Sequence, residues 1–598
     1  MSGTPSASAP AEVGSIEAGL RQRILQERQR EERLSDLELR ARIGAGDHVA
    51  ARGTLLFFTD PSRIRTRLAA LLADAEQDTS GAPPAAAAGV LRLLTFLAID
   101  LASALAEWRL ARSLSPDSLQ EMTDSVLASL QRVASRHPGV QEDLLTELRA
   151  DAHARLKAEA VAEEEAALAA RQLAGSSLAA YARRVIDEVR RSNLRAAARA
   201  YHEGRLATVL GNDYADFLPS MIWLGGSFVT TNPVLIKLAW DIEPSFWNRH
   251  VDEVILSRWS PSRLASLLAG EPAPVQEAVE AVAGALTVSV VERNCRMLRP
   301  IFLLTGGEQG YVSLQVDPAA HDDPRKMAAD AAALYAELEH RLGGVPNVVI
   351  KVPSTSAGLE AARMLTSRGI GVTITLTFSL FQALPFARVL QAGRALVSYI
   401  AVMNGRLAFP VRDEMKARGV PGGVEAARWA GVEVARKICA RLYGQGGSGG
   451  LGIDAGKVKV MIASLRIYDD WIPDISEIWG VPLITVFPNV RRAFDATPRQ
   501  MVADRIGART PEEALRVMQE SEVFRQAWWT EEDGAAGRPS RPLTLEPADS
   551  EAVADWAPVR ETLTQFIGTY REMCGMVKAR LAAVAGDVRI TEGMPWRS

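Results

Sequence analysis

Residues 347–362 read NVVIKVPSTSAGLEAA. Three β-branched residues, Val348, Val349 and Ile350, run straight into Lys351, and a Pro-Ser-Thr turn and an amphipathic stretch follow. An apolar run of this length without polar alternation is the pattern of a strand buried on both faces, as in the parallel sheet of a βα unit. Lys351 therefore closes a strand made for burial. A buried ammonium is costly unless it is paired or sheds its proton. Alone, the stretch allows either a structural ion pair or a neutral, nucleophilic amine.

Seven other stretches share this texture: ATVLGND (207–213), SFVTT (227–231), YVSLQV (311–316), GVTITLTF (371–378), ALVSYIAVM (395–403), KVKVMIAS (457–464) and PLITVF (482–487). Helical stretches separate them, with longer helical insertions near 240–300 and 405–445. Eight such units fit a closed (β/α)₈ TIM barrel better than an open sheet, where about six strands are usual. The active face of such a barrel lies at the carboxyl ends of its strands, where Lys351 falls.

The bulk numbers exclude several classes. Of 598 residues, 47% are hydrophobic and 23% charged, the balance of an ordinary globular protein. A net charge of −4 provides no basic field, so neither nucleic acid nor an anionic membrane is an expected partner. The three cysteines, Cys295, Cys439 and Cys574, are scattered, which suits a reducing compartment and excludes a disulfide framework. The seven histidines have no metal-ligand spacing, and neither a metal nor a cofactor is expected. The apolar run GVLRLLTFLAIDLASALAEW (89–108) is interrupted by Arg92 and Asp100, so it reads as a buried helix rather than a membrane span. No signal peptide is expected, and the localisation is cytoplasmic.

Organisation follows from texture. Residues 1–15, MSGTPSASAPAEVGS, are small and polar and read as disordered. Residues 16–200 carry helix-period patterning, with a Pro/Ala linker at SGAPPAAAAG (80–89) and a turn at His137-Pro138-Gly139. Their role is unassigned; they are the candidate surface for a homo-oligomer or a protein partner. Residues 201–500 form the barrel, and 501–598 a helical extension packing on it. The stretch GQGGSGGLG (444–452) holds a G-x-G-x-x-G match but follows a helical segment rather than a strand, so it reads as a mobile loop.

Polar residues close the strands. Asp213 follows the first, Thr231 and Asn232 the second, and Gln315 with Asp317 the third. Thr375 lies in the fifth, Arg406 follows the sixth, and Ser464 with Arg466 closes the seventh. One lysine, two arginines, hydroxyls and amides converging on one mouth suit a phosphorylated carbonyl compound. The arginines would grip the phosphate as planar forks, and the lysine amine would attack the carbonyl carbon.

From about residue 205 to 490 the chain resembles the transaldolase family of class I aldolase barrels. The resemblance rests on TTNPVLI (230–236), VSLQVDP (312–318), IKVPSTSAGLEAARML (350–365), GIGVTITLTFSLFQA (369–383), NGRL (404–407) and ASLR (463–466), in matching order and spacing. It implies transfer of a dihydroxyacetone unit between sugar phosphates, as in the pentose phosphate pathway, with Lys351 as the Schiff-base lysine. By the same resemblance Thr231 and Asn232 hold substrate hydroxyls. Arg406, Ser464 and Arg466 form the phosphate site, and Thr375 positions the catalytic water. Asp213 is the implied acid/base, with Asn212 and Asp216 as alternatives for that position.

Three positions depart from the family pattern. Its third-strand glutamate is Gln315 here, which holds a water but is no base at neutral pH. The sixth strand reads Ala401-Val402-Met403-Asn404 in place of a serine–proline–aromatic run, and Thr373 replaces an asparagine. The third-strand glutamine resembles the fructose-6-phosphate aldolase branch, which pairs it with a tyrosine where this chain has Met403. The alternatives to a transaldolase are therefore a lyase of that branch, or a sugar-phosphate-binding or scaffold protein derived from the same barrel.

Overall fold

The structure is a computed structural model that describes residues 13–79, 83–444, 450–469, 471–498 and 502–586. The first twelve residues of the segment expected to be disordered, and the centre of the glycine-rich stretch at 445–449, lie outside these.

Eight parallel strands close into a barrel in chain order: β1 (Val209–Asn212), β2 (Gly226–Thr230), β3 (Tyr311–Gln315), β4 (Val348–Pro353), β5 (Val372–Thr377), β6 (Ser398–Met403), β7 (Val458–Ala463) and β8 (Leu483–Val486), which returns to β1. All eight expected strands are present. Helices cover the outer face and side chains fill the lumen, so nearly every strand residue is buried, as the unbroken apolar runs require. The strand bounds differ from the sequence expectation by up to three residues, and one of these differences bears on the site. β4 continues two residues past Lys351, because Val352 and Pro353 still pair with Ile374 and Thr375 of β5. Lys351 thus points from within the strand rather than from its end.

The amino-terminal residues form helices from Val13–Glu32 to Leu194–His202. The first lies across the amino ends of the strands. Ile24 is fully buried there, and Gly307 and Gly369, both at positive φ, leave room for it and for Ile16. A Cβ at either glycine would come within 2.9 Å of those isoleucines. Arg299 donates to Glu27 at 2.6 Å on the same face. Behind it, Asp100 accepts from Arg52 and from the Trp223 indole at 2.8 Å each, joining the helical region to the segment between β1 and β2.

The expected linker at 80–89 is corrected at its second half. Pro84 opens a helix, Pro84–Ala102, with alanines in its first turns. Proline suits a first helical position, where its missing N–H has no partner to lose, and alanine is the best helix former. This helix and Pro272–Leu304 are each long and apolar enough to cross a membrane. Here their apolar residues, including Leu91, Leu94, Val282 and Leu286, are packed among neighbouring helices. One cluster of buried apolar side chains runs from Ile24 through the strands to Phe524 and Phe566. The last helix, Ala557–Gly586, crosses the carboxyl end of the barrel, and its outer half packs with Trp240, Val251 and Leu286 in a second cluster.

Candidate active site

Strand register sets the floor of the site. Lys351 pairs with Gln315 of β3 on one side and Thr373 of β5 on the other, so the three sit at one level of the barrel. Lys351 is buried, and among the described residues it makes no ion pair within 4 Å. Burial pushes its amine down to about 8; the nearby Asp213 charge opposes this shift and the Arg406 charge adds to it. At pH 7 roughly one amine in ten is then unprotonated, against fewer than one in a thousand for a free lysine. Lys459 is buried too, and its amine also falls to about 8, but its Nζ donates to the Glu308 carbonyl at 2.6 Å. What distinguishes Lys351 is the lack of such a bond at the active end of the barrel.

The three candidates for the acid/base position separate by where their side chains turn. Asn212 donates its amide to the carbonyls of Tyr214 and Asp216, at 2.9 Å each, and so pins the loop after β1. Asp216 accepts from the Phe217 N–H at 2.8 Å and lies 3.6 Å from Arg293, outside the mouth. Asp213 turns into the mouth, where its carboxylate accepts from the Thr230 hydroxyl and lies 3.5 Å from the Ser464 N–H.

A cavity of about 20 Å³ adjoins Lys351, lined also by Gln315, Thr375, Asp317, Leu563 and Phe566. That is room for roughly one water. Among the described residues the Gln315 Oε1 is buried without a partner, and the Thr375 hydroxyl has only the Met403 sulfur, 3.8 Å away. Thr231 and Asn232 line a larger cavity of about 290 Å³ that shares Gln315 and Asp317 with the first. The Thr231 hydroxyl donates to the Ser313 carbonyl at 2.6 Å, so only its lone pairs are left for another group. Asn232 caps helix Pro233–Ile242, its Oδ1 accepting from the Leu235 N–H at 2.9 Å. Its amide nitrogen is the half left over.

The arginines come from adjacent strand ends. Helix Asn404–Ala417 begins directly after β6, which puts Arg406 in its first turn. Ser464, at φ 59°, turns the chain after β7 back toward that turn. The approach is so close that a Cβ at Gly405 would lie 2.3 Å from Arg466 Cγ. Arg466 is held over the Phe409 ring at 4.9 Å, and its Nη1 donates to the Ser464 and Leu465 carbonyls at 3.1 Å each. Burial, then the neighbouring Arg466 charge, push the Arg406 guanidinium down to about 10. Two cations beside a helix N-terminus favour an anion, and phosphate in particular.

Two residues of the last helix that line the cavity beside Lys351, Leu563 and Phe566, were invisible in the sequence. Phe566 of the last helix places its ring 6.0 Å from Lys351 Nζ and 5.8 Å from Arg406 Cζ. Its only sequence signal is the helical spacing of Leu563, Phe566 and Tyr570, which marks an apolar face without saying what it covers.

Residues 224–532 match the family model described as transaldolase/fructose-6-phosphate aldolase. The match takes in every candidate site residue except those at the acid/base position, Asp213 with its alternatives Asn212 and Asp216. The transaldolase of Neisseria meningitidis serogroup C / serotype 2a is 30% identical over 224 residues, which are 34% of this chain and 60% of that protein. The transaldolase of Thiobacillus denitrificans is 30% identical over 181 residues, covering 30% of this chain and 41% of the relative. Transaldolase 1 of Streptomyces avermitilis is 42% identical over 95 residues, 16% of this chain and 24% of the relative. The chain thus spans 60% or less of the length of these curated relatives.

Proposed function

The chain belongs to the transaldolase/fructose-6-phosphate aldolase family, and from that premise we propose that it transfers a dihydroxyacetone unit from a ketose phosphate to an aldose phosphate through a Schiff base on Lys351. The observation that carries the reading is an unpaired, buried, pKa-lowered lysine facing two arginines across the mouth of the barrel.

In this reading Arg406, Arg466 and the Ser464 segment hold the donor's phosphate. The neutral Lys351 amine attacks the ketone carbon, and the carbinolamine loses water to give the Schiff base. A water held by Gln315 and Thr375 moves the protons of that dehydration. The Asp213 carboxylate takes the proton of the C4 hydroxyl as the C3–C4 bond breaks. The aldose phosphate leaves, and the three-carbon enamine stays on the lysine. Addition of an acceptor aldehyde returns the proton from Asp213, and hydrolysis frees the new ketose and the lysine. Asn232 and Thr231 hold the hydroxyls of the three-carbon unit. No metal or cofactor takes part.

Gln315 favours a second reading at the same lysine. An amide at this position resembles the fructose-6-phosphate aldolase branch, in which cleavage ends in release of dihydroxyacetone, a lyase reaction. Residues 16–200 are read as an accessory helical region, and exposed Leu25, Leu37 and Leu168 mark faces open to self-association or a protein partner. The pathway is that of sugar phosphates in the cytoplasm.

The test is borohydride trapping with fructose 6-phosphate, read by mass on the Lys351 peptide. A single adduct there, absent in Lys351→Met, supports the Schiff base. An adduct elsewhere, or none, refutes it.

A further inference from the structure

We propose that Phe566 makes chemistry at Lys351 conditional on a phosphate: its ring stands against both the amine and Arg406, and a phosphorylated ketose displaces it by taking Arg406, whereas an unphosphorylated ketone does not. The proposal rests on the Schiff-base reading above and names the substrate selectivity of that site.

The ring stands 6.0 Å from Lys351 Nζ and 5.8 Å from Arg406 Cζ, within the range where an aromatic face attracts both cations. A ketose phosphate with its carbonyl at Lys351 and its phosphate at Arg406 runs its carbon chain past that ring. The cavity beside Lys351, about 20 Å³, is far below the ~300 Å³ typical of a small-molecule site. A sugar that reaches the amine through this cavity therefore displaces the ring.

The helix that carries Phe566 is fixed at both ends. Trp556, just before it, packs on Phe378 and Phe381 with ring centroids at 6.2 and 5.5 Å. Toward its far end, Arg580 donates to Asp252 at 2.8 Å, and Met573, Val577 and Leu581 are buried. Opening accordingly belongs to the ring and its own turn, not to the helix as a whole. The neighbouring cavity of about 290 Å³, lined by Tyr570 one turn on, has the space to receive the ring.

Phosphate supplies the driving force for the exchange. Among the described residues the Arg406 Nε is buried without a partner, so the guanidinium has a donor to offer an anion. A charge-assisted bond from arginine to phosphate outweighs the attraction of the same arginine to a phenyl ring. A ketone with no phosphate meets the ring without that compensation.

The experiment uses the full chain, with dihydroxyacetone as probe, with and without inorganic phosphate, and with fructose 6-phosphate for comparison. Borohydride adducts are read on the Lys351 peptide, and the accessibility of the Lys351 amine is read separately by its rate of modification with trinitrobenzenesulfonate. In the native chain, inorganic phosphate should speed dihydroxyacetone trapping. Phe566→Ala should trap dihydroxyacetone roughly tenfold faster without phosphate, as when a state open a tenth of the time becomes the only one. It should no longer respond to phosphate, and its amine should be modified faster. Phe566→Leu, which keeps an apolar side chain in the core, should fall between the two. Trapping and amine modification that are unchanged in both variants would overturn the proposal. If no protein gives an adduct with either ketone, the Schiff-base reading fails. The amine-modification rates then judge the gate alone, and equal rates reject it.

Discussion

Gln315 and Lys351 are register partners across β3 and β4, side by side on the floor of the mouth, and the Gln315 Oε1 has no hydrogen-bond partner. An amide in that place orients a water but takes no proton from it. In the proposed reaction Lys351 is the nucleophile and Arg406 with Arg466 the anion grip, and Gln315 leaves the relay without a base beside the lysine.

Restoring that base should speed the reaction. Gln315→Glu is expected to raise turnover on fructose 6-phosphate by at least roughly tenfold, since a positioned general base contributes ~10²–10⁴. A carboxylate next to Lys351 also favours its ammonium form, so the gain should be read over a pH series and be largest above pH 8. A variant no faster than the native chain at any pH would remove Gln315 from water handling.

The lowered amine predicts a pH profile. Adduct formation should rise with pH and level off above an apparent pKa of about 8. The sign for stability follows the same shift. A lysine whose folded pKa lies below its unfolded value of 10.5 destabilises the fold while both forms are protonated. That penalty is complete below pH 8 and is lost as pH rises toward 10.5. Lys351→Met should therefore raise the melting temperature at pH 7, by an effect on the order of 3 kcal/mol, and the difference should shrink toward pH 10. A constant difference across that range would mean that the lysine is not buried as a base.

Arg466→Ala tests the phosphate grip. A charge-assisted bond to phosphate is worth about 1.5–3 kcal/mol, so KM for fructose 6-phosphate should rise roughly 10- to 150-fold. KM for dihydroxyacetone should change far less. Equal increases for the two substrates would assign Arg466 to the packing of Phe409 and the β7 turn instead.

Asp213→Asn should slow carbon–carbon cleavage by ~10²–10⁴ while the Lys351 adduct still forms. Asp216→Asn, altered outside the mouth, should stay within a few-fold of native. Steady-state turnover alongside borohydride trapping separates the two steps. The reverse ranking would move the acid/base to Asp216.

The first helix closes the barrel floor, so a charge inside its contact should cost far more than one beside it. Ile24→Asp is expected to destabilise the chain by more than about 3 kcal/mol, and Leu25→Asp, 44% exposed, by no more than about 0.5 kcal/mol. Denaturant unfolding measures both. Similar small effects would show that the helix is not part of the barrel's core.

Residues 347–362 and their seven counterparts contained the barrel, because a strand buried on both faces has to be apolar almost throughout and that pattern is local. Lys351, Gln315, Thr375, Arg406 and Arg466 were legible for a related reason. Each stands at or near the carboxyl end of a strand, and closure of the barrel brings those ends together whatever the loops do. Other features depended on direction and on distant partners. Asp213 and Asp216 are the same residue type in one loop, and only the hydrogen bonds of that loop decide which of them turns inward. Thr231 looked free until its hydroxyl proved to be donated to Ser313. The helical spacing of Phe566 marks an apolar face, but does not say that its ring would lie against both Lys351 and Arg406. Periodicity encodes which face of an element avoids water. What that face meets is settled by the packing of elements far apart along the chain, and no local pattern records it.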